Sequence, residues 1–328
     1  MENQKTVILL SLPQNRLLPE FREELLAAGV GREVLITMDQ AEIELYLDRI
    51  EIGMGDLPFT LLPKMSNLKW LQLWSAGADF LQRFPEAKTL PFQLTITTGI
   101  HQQQLTEHLF AMLLGWNRCL PEAFAAQRRH EWLFITDRRL TALKGKTMLI
   151  LGYGTIGETI ARIAQSFGMT VLGVCRNPAG KPGLNAGAGP RVEPAAKLRE
   201  LLPEADHVVN ILPSTAATRS FFGAAEFGLM KQSALYINIG RGATTDEAAM
   251  IEALRSKRIA GALLDVVETE PLPPDSPLWD MDNVILTGHF AGCHPDYSRM
   301  AMDVALDNLG RYNRGESLKN QVDKELGY

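Results

Sequence analysis

Four short stretches of the chain hold residue types that do chemistry, at spacings that let them act. The first is Gly152-Tyr153-Gly154-Thr155-Ile156-Gly157. In a G-x-G-x-x-G pattern the glycines make a tight turn, let backbone N–H groups approach a pyrophosphate, and let helix and strand pack closely. Those jobs fall to Gly152, Gly154 and Gly157. The second is Asn238-Ile239-Gly240-Arg241-Gly242, an arginine between two glycines. A guanidinium there has little to pack against and much to coordinate. The third runs from Asp265 through Glu268 to Glu270-Pro271, and the fourth is His289-Phe290-Ala291-Gly292. An imidazole among small residues has the room and the titration range to act as acid or base.

Each stretch also has a plain structural explanation: a solvated strand-end arginine, a solvated acidic turn, a histidine kept for packing. The elements around them decide the matter. Residues 147–151 are an apolar run that breaks at Gly152, and residues 155–167 carry Ile156, Ile160, Ile163, Ala164 and Phe167 at helical spacing up to Gly168. A strand, a glycine turn, a helix and a second strand (169–175) give the context that a dinucleotide motif needs. Further strands are expected at 205–212, 234–239, 259–266 and 283–287, with a helix at 246–256 that Asp246 caps. Six strands suffice for two mononucleotide-binding halves, and open α/β sheets bind ligands beyond the carboxyl ends of their strands. All four stretches stand at such ends.

The first hundred residues show the same alternation. Strands are expected at 6–10, 33–37, 49–52, 68–74 and 93–97, with a helix at 16–28. Ser11-Leu12-Pro13 follows the first strand in place of a glycine-rich turn, so this α/β half is not expected to hold the nucleotide. A long helix at 101–118, interrupted by Pro121 and resumed at 122–129, joins the halves, and a final helix is expected at 297–312. His101, Glu107 and His108 on or near the joining helix read as a hinge or interface group. Residues 177–191, rich in Gly and Pro, read as a loop, and the residues after 312 as a polar surface tail.

An NAD-binding fold of this kind carries an acidic residue about twenty positions beyond the glycines to hold the ribose 2′-hydroxyl. No Asp or Glu occurs between Glu158 and Glu193; Arg176 and Asn177 stand at the expected place, and Lys181 follows. A guanidinium suits a 2′-phosphate, so NADP(H) is expected, with NAD(H) as the alternative. Overall charge excludes other partners: the net charge of −5 leaves no basic footprint for nucleic acid. The 328 residues are 46% hydrophobic and 22% charged, a globular composition, and the three cysteines (Cys119, Cys175, Cys293) are scattered. The apolar run at 6–10 is too short for a signal peptide core or a membrane span. No membrane, no metal site and a reducing, cytoplasmic setting are the resulting expectations.

Together the four motifs resemble the D-isomer-specific 2-hydroxyacid dehydrogenases, through nearly the whole chain and most strongly over 145–292. The resemblance implies two Rossmann-like α/β domains: a doubly wound dinucleotide-binding domain, residues 105–293, inserted in a flavodoxin-like substrate domain, residues 1–104 and 294–328. It implies that Arg241 binds a substrate carboxylate, that Glu270 supports the catalytic His289, and that Asp265 meets the nicotinamide end. Trp74-Ser75-Ala76-Gly77-Ala78-Asp79 is similar to the family's substrate loop, with Ala76 and Gly77 offering backbone N–H groups. Thr155, Ile156, Leu212, Pro213, Thr218, Ile239, Gly240, His289, Ala291 and Gly292 complete the candidate cofactor contacts. Gly288 in place of proline implies a looser backbone, and Phe290 a narrower site. Glu268 is the rival partner for His289, His294 a rival substrate or helix-start contact, and Trp132 lies where relatives reach a partner subunit, implying a homodimer. The implied activity is NADPH-dependent reduction of a 2-keto acid such as glyoxylate or hydroxypyruvate. The alternatives are a dehydrogenase for a bulkier keto acid or a phosphorus oxyanion, and a dinucleotide-sensing, corepressor-like protein.

Overall fold

A computed structural model describes residues 5–135, 140–178 and 189–328. The chain divides into two compact units, residues 1–100 with 294–328 and residues 101–293. The division falls at Ile100/His101 rather than after residue 104. Gln102–Asn117 is one continuous helix, so its first turn belongs to the same unit as the rest.

In the first unit, β1 (Val7–Ser11), β2 (Glu33–Ile36), β3 (Ile50–Gly55), β4 (Trp70–Gln72) and β5 (Gln93–Thr95) form a parallel sheet in the order β2-β1-β3-β4-β5. Side chains alternate across a strand, and both faces are buried. Val7 and Leu9 join Leu71, Phe80 and Leu94 on one face. Ile8 and Leu10 join Phe21, Leu25, Ala301 and Leu309 on the other, under the helices Phe21–Ala28 and Tyr297–Asn313. The expected helix at 16–28 starts only at Phe21, because Pro19 breaks the run. The polar tail is corrected too: Leu318 and Val322 are buried, and the Val322 N–H donates to Leu94 O beside the edge of β5.

The second unit holds β6 (Thr147–Leu151), β7 (Thr170–Cys175), β8 (Arg191–Pro194), β9 (His207–Asn210), β10 (Leu235–Asn238), β11 (Gly261–Leu264) and β12 (Val284–Leu286). All pair in parallel in the order β12-β11-β10-β9-β6-β7-β8, which puts the topological switch between β6 and β9. Leu149 and Leu151 face one apolar layer; Met148 and Ile150 face the other, with Leu109, Leu113, Ile160 and Ala164. Among the described residues seven strands stand where six are legible. β8 is a short polar edge strand ending in proline, without an apolar period to announce it. It takes the last residue of the stretch read as a loop; residues 179–188 of that stretch, Lys181 included, lie outside the described residues.

At the amino end of β9, away from the four motifs, His207 is 6% exposed and neither ring nitrogen has a hydrogen-bond partner. Burial pushes its pKa down to about 4 from 6.5, against the attraction of Asp206. Between those values the unfolded chain takes a proton that the folded chain refuses, so stability rises with pH from 4 and is complete above 6.5. His207→Phe is expected to flatten that slope, removing about 3 kcal/mol of acid sensitivity. Denaturant unfolding at intervals between pH 4 and 7 measures it; equal slopes in both proteins contradict the assignment.

Candidate active site

The site of the second unit is built where β6, β9, β10, β11 and β12 end. After β6 the chain turns at Gly152, which takes a φ of +95° with its Cα 's missing side chain facing Ile211 O; a Cβ there would lie 3.0 Å from that oxygen. Gly157 sits on the first turn of the helix Thr155–Ser166, where a Cβ would lie 3.3 Å from both Gly152 O and Ile150 Cγ2. At Gly154, by contrast, a Cβ would meet only Gly152 O, at 4.0 Å. Two glycines hold the turn tight and the third leaves open space at the helix start beside Thr155 and Ile156, the shape that a pyrophosphate cradle requires. Arg176 and Asn177 are exposed just past β7. The residues present therefore fit a dinucleotide, and an arginine just past β7, in a stretch of sequence with no Asp or Glu between Glu158 and Glu193, fits one bearing a 2′-phosphate.

Past β9, Leu212 N–H donates to Asn210 Oδ1 at 3.1 Å, and Thr218 Oγ donates to Pro213 O at 2.6 Å, which closes the 213–218 turn. Ile239 is buried. Gly240 cannot bear a side chain, since a Cβ would lie 2.8 Å from Ile211 Cα; at Gly242 it would lie 1.8 Å from Val267 O. The glycines beside Arg241 thus exist to let three strand-end loops touch. Arg241 itself is extended, partly exposed, and donates to Gly240 O at 2.9 Å. Its backbone carbonyl accepts from Thr244 Oγ1 at 2.6 Å and Asn238 Nδ2 at 3.2 Å. Beneath lies a buried polar network that sequence reading missed: Asn210 donates to Tyr236 Oη and Thr244 Oγ1, and Tyr236 shares a 2.6 Å hydrogen bond with Thr245. Burial pushes the Tyr236 phenol up to about 12, so it keeps its proton.

From Gly242 the contacts run on through Val267, whose N–H donates to Glu270 Oε1 at 3.1 Å, while Glu270 Oε2 lies 2.6 Å from His289 Nδ1. An ionised carboxylate only accepts, so Nδ1 carries the hydrogen and Nε2 is the nitrogen left for chemistry. His289 is about half exposed and takes a φ of +54°, a left-handed conformation uncommon outside glycine. Asp265, 3% exposed, holds that backbone: its carbonyl accepts from His289 N–H at 2.8 Å, and its carboxylate accepts from Phe290 and Ala291 N–H at 3.1 Å each. The looseness that Gly288 implied is thereby taken up by its successors. Ala291 is buried, and at Gly292 a Cβ would lie 3.2 Å from His101 Cδ2.

The rivals separate by geometry. The Glu268 N–H donates to Glu247 at 2.9 Å, and Glu270, not Glu268, meets the imidazole. Glu107 bonds Gln103 one turn back along its helix, and His108 reaches Thr287. In the first unit, His294 Nδ1 accepts the Asp296 N–H at 3.1 Å, a local bond before the last helix. There too Ala76 and Gly77 are partly exposed in a loop closed by Ser75 Oγ donating to Gly77 O at 2.7 Å. Trp132 is 84% exposed, so it is no core residue of this chain. Among the described residues no group of three or more His, Cys, Asp or Glu side chains is placed to hold a metal ion, and no helix is long and apolar enough to cross a membrane.

Residues 110–291 match the family profile described as D-isomer specific 2-hydroxyacid dehydrogenase, NAD binding domain. The chain is 36% identical over 273 residues to a glyoxylate reductase of Aeropyrum pernix, covering 81% of this chain and 79% of the relative. It is 35% identical over 270 residues to a glyoxylate/hydroxypyruvate reductase B of an Enterobacter species, covering 81% of each. Among solved structures it resembles an NADPH-dependent glyoxylate/hydroxypyruvate reductase of Sinorhizobium meliloti in complex with NADP and sulfate. The TM-score is 0.83 and the identity 29%, over 99% of this chain and all (100%) of that one. A D-isomer specific 2-hydroxyacid dehydrogenase of Xanthobacter autotrophicus in complex with NADPH and MES is similar at a TM-score of 0.81 and 29% identity, over 98% of this chain and 99% of that one.

Tyr236→Phe tests whether the buried network supports Arg241. Removing the hydroxyl leaves Asn210 and Thr245 each one partner short, at an expected cost of about 1–3 kcal/mol. Thermal unfolding reads that loss; an unchanged midpoint rules out the supporting role.

Proposed function

The chain belongs to the D-isomer-specific 2-hydroxyacid dehydrogenases, and on that premise we propose that it reduces a short 2-keto acid, of the glyoxylate or hydroxypyruvate kind, to the D-2-hydroxy acid with NADPH. The observation that carries the reading is the 2.6 Å bond between Glu270 and His289 Nδ1, on a loop that touches the loop of Arg241 through Val267 and Gly242. A relay of that kind has no use in a protein that only binds a nucleotide, which disfavours the corepressor-like alternative. The names of the relatives and the NADP-bound neighbours support both substrate class and cofactor. Phe290, half-exposed beside His289, supports a small substrate over a bulky one.

The roles follow from the chemistry. Gly152, Gly154 and Gly157, with Thr155 and Ile156, would hold the pyrophosphate, and Arg176 with Asn177 the 2′-phosphate. Leu212, Pro213, Thr218, Ile239, Gly240, Asp265, Ala291 and Gly292 would line the rest of the cofactor. When bound, the reduced nicotinamide supplies the hydride that the carbonyl carbon accepts. Arg241 clamps the substrate carboxylate with two parallel hydrogen bonds, fixing orientation as well as charge; the N–H groups of Ala76 and Gly77 in the first unit are the further substrate donors that the family resemblance implies. His289, protonated, gives its Nε2 proton to the carbonyl oxygen as negative charge grows there; in the reverse direction the neutral ring takes it back. Glu270 accepts from Nδ1 and holds the ring in register.

A homodimer belongs to the same reading. Leu120 and Phe124 on the helix Leu120–Arg128 are exposed, as are Trp132 and Phe134 just beyond it, an apolar group that a second copy would cover. Sedimentation velocity is expected to give about twice the chain mass of 36.4 kDa, and Trp132→Ser with Phe134→Ser to shift it towards monomer. A monomeric wild-type protein refutes this part.

Consumption of NADPH and of NADH with glyoxylate, hydroxypyruvate and phenylpyruvate tests the central proposal. Turnover of the two smaller acids with NADPH is expected. His289→Ala should lower kcat about 10²–10⁴-fold while NADPH still binds. Arg241→Lys should weaken the keto acid far more than the cofactor, since an ammonium cannot form the fork. Tight NADPH binding with no turnover of any acid sinks the reductase reading in favour of a sensor.

A further inference from the structure

One polar side chain of the helix Gln102–Asn117 takes part in the wall of the site without belonging to any of the four motifs. His108 lies three residues after Leu105 and four before Met112, on the helical face that packs against the nucleotide sheet. Its Nε2 stands 2.9 Å from Thr287 Oγ1 and 3.6 Å from Asp265 Oδ1, and Thr287 Oγ1 is 2.7 Å from Asp265 Oδ1. The donors can be assigned. An ionised carboxylate has no hydrogen to give, so Thr287 spends its single hydroxyl hydrogen on Asp265; the Leu264 carbonyl, at 3.5 Å, is the longer alternative. Thr287 can then only accept from His108, which places the hydrogen on Nε2. The imidazole is held on a second side by the ring of Phe290, edge to face at 5.2 Å between centroids.

This row ends on the carboxylate that fixes the catalytic loop. Asp265 takes its remaining hydrogen bonds from the N–H groups of Phe290 and Ala291, and its own carbonyl holds the N–H of His289 in the left-handed conformation. A residue in that region persists only where its surroundings over-determine it. Thr287 alone can turn about χ1 and bond the Leu264 carbonyl of the neighbouring strand instead; with the His108 N–H on its lone pair, the hydroxyl stays aimed at Asp265.

We propose that His108 is a positioning residue for the reaction: through Thr287 it aims the Asp265 carboxylate, and through Asp265 and Phe290 it fixes the backbone that presents His289. The inference rests on the proton-donor role given to His289 above, and it adds a residue outside the catalytic motifs on which turnover depends.

A double-mutant cycle tests it. His108→Leu and Thr287→Val are each expected to lower kcat with NADPH and glyoxylate about 10-fold, with the KM for the keto acid kept within about 3-fold, because Arg241 is untouched. Since both cut one row, the double variant should be no worse than about 2-fold below either single one. His108→Gln offers an amide N–H at nearly the same reach and should recover most of the loss. Thermal unfolding of each variant sets aside those that fail to fold, and ring-nitrogen NMR gives a second readout that needs no substrate. In the wild type His108 should carry its hydrogen on Nε2, and in Thr287→Val the His289 ring signals should shift. Losses that multiply in the double variant, a kcat within about 2-fold of wild type in His108→Leu, or His289 signals indifferent to Thr287→Val overturn the proposal. Should the wild type turn over no keto acid, the functional reading falls, and the NMR result alone decides whether His108 positions the loop.

Discussion

Asp265 is an acceptor that the backbone of a whole loop has been folded around. It is buried, it accepts two main-chain N–H groups and the Thr287 hydroxyl on its carboxylate, and its carbonyl accepts the N–H of His289. An ionised side chain in that position is tolerable only if its lone pairs are filled, and the donors that fill them belong to the residues that must be held. Satisfying the charge and shaping the loop are therefore one event. The left-handed conformation of His289 is the consequence, and it sets where the imidazole begins its reach towards Glu270.

A second constraint comes from the parallel sheet. Its strands deliver their loops to one edge, but loops carrying ordinary side chains would keep one another apart. Gly240 lies against the backbone of 211–212, and Gly242 against 267–268. Glycine at these places is a matter of distance: neither needs a positive φ, and both lack room for one carbon atom. Arg241 is thereby drawn to a point from which the contacts continue through Val267 to Glu270. The polar network of Asn210, Asn238, Tyr236, Thr244 and Thr245 does the complementary work from below, taking up the backbone groups that such a tight loop leaves unpaired.

The parts of the fold that were legible in the chain are those with strong periodicity. Runs such as 147–151 bury both faces of a strand and must be apolar throughout, and the helix after them repeats its apolar residues every third or fourth position. What escaped was local and polar. β8 is four residues at an edge, the segment after 313 earns its place by two buried side chains, and Pro19 divides a helix whose apolar spacing runs straight through it. The partner of His289 was only half legible: Glu270 precedes a proline in a motif, but Glu268, two residues earlier and chemically identical, stayed a rival until the fold brought Glu270 Oε2 to 2.6 Å from Nδ1.

By itself the sequence determined the two α/β units, the glycine turn, the lack of an acid between Glu158 and Glu193, and the identity of the chemical groups. Each of these is written in residue type or short-range spacing, which survive without a third dimension. Only the tertiary structure decided which carboxylate meets the imidazole, that Asp265 holds the loop, and that His108 reaches it through Thr287. Those partners stand 19, 25 and 179 residues apart, and a contact at that separation follows from strand order and from how a helix rotates onto a sheet. No local preference encodes either.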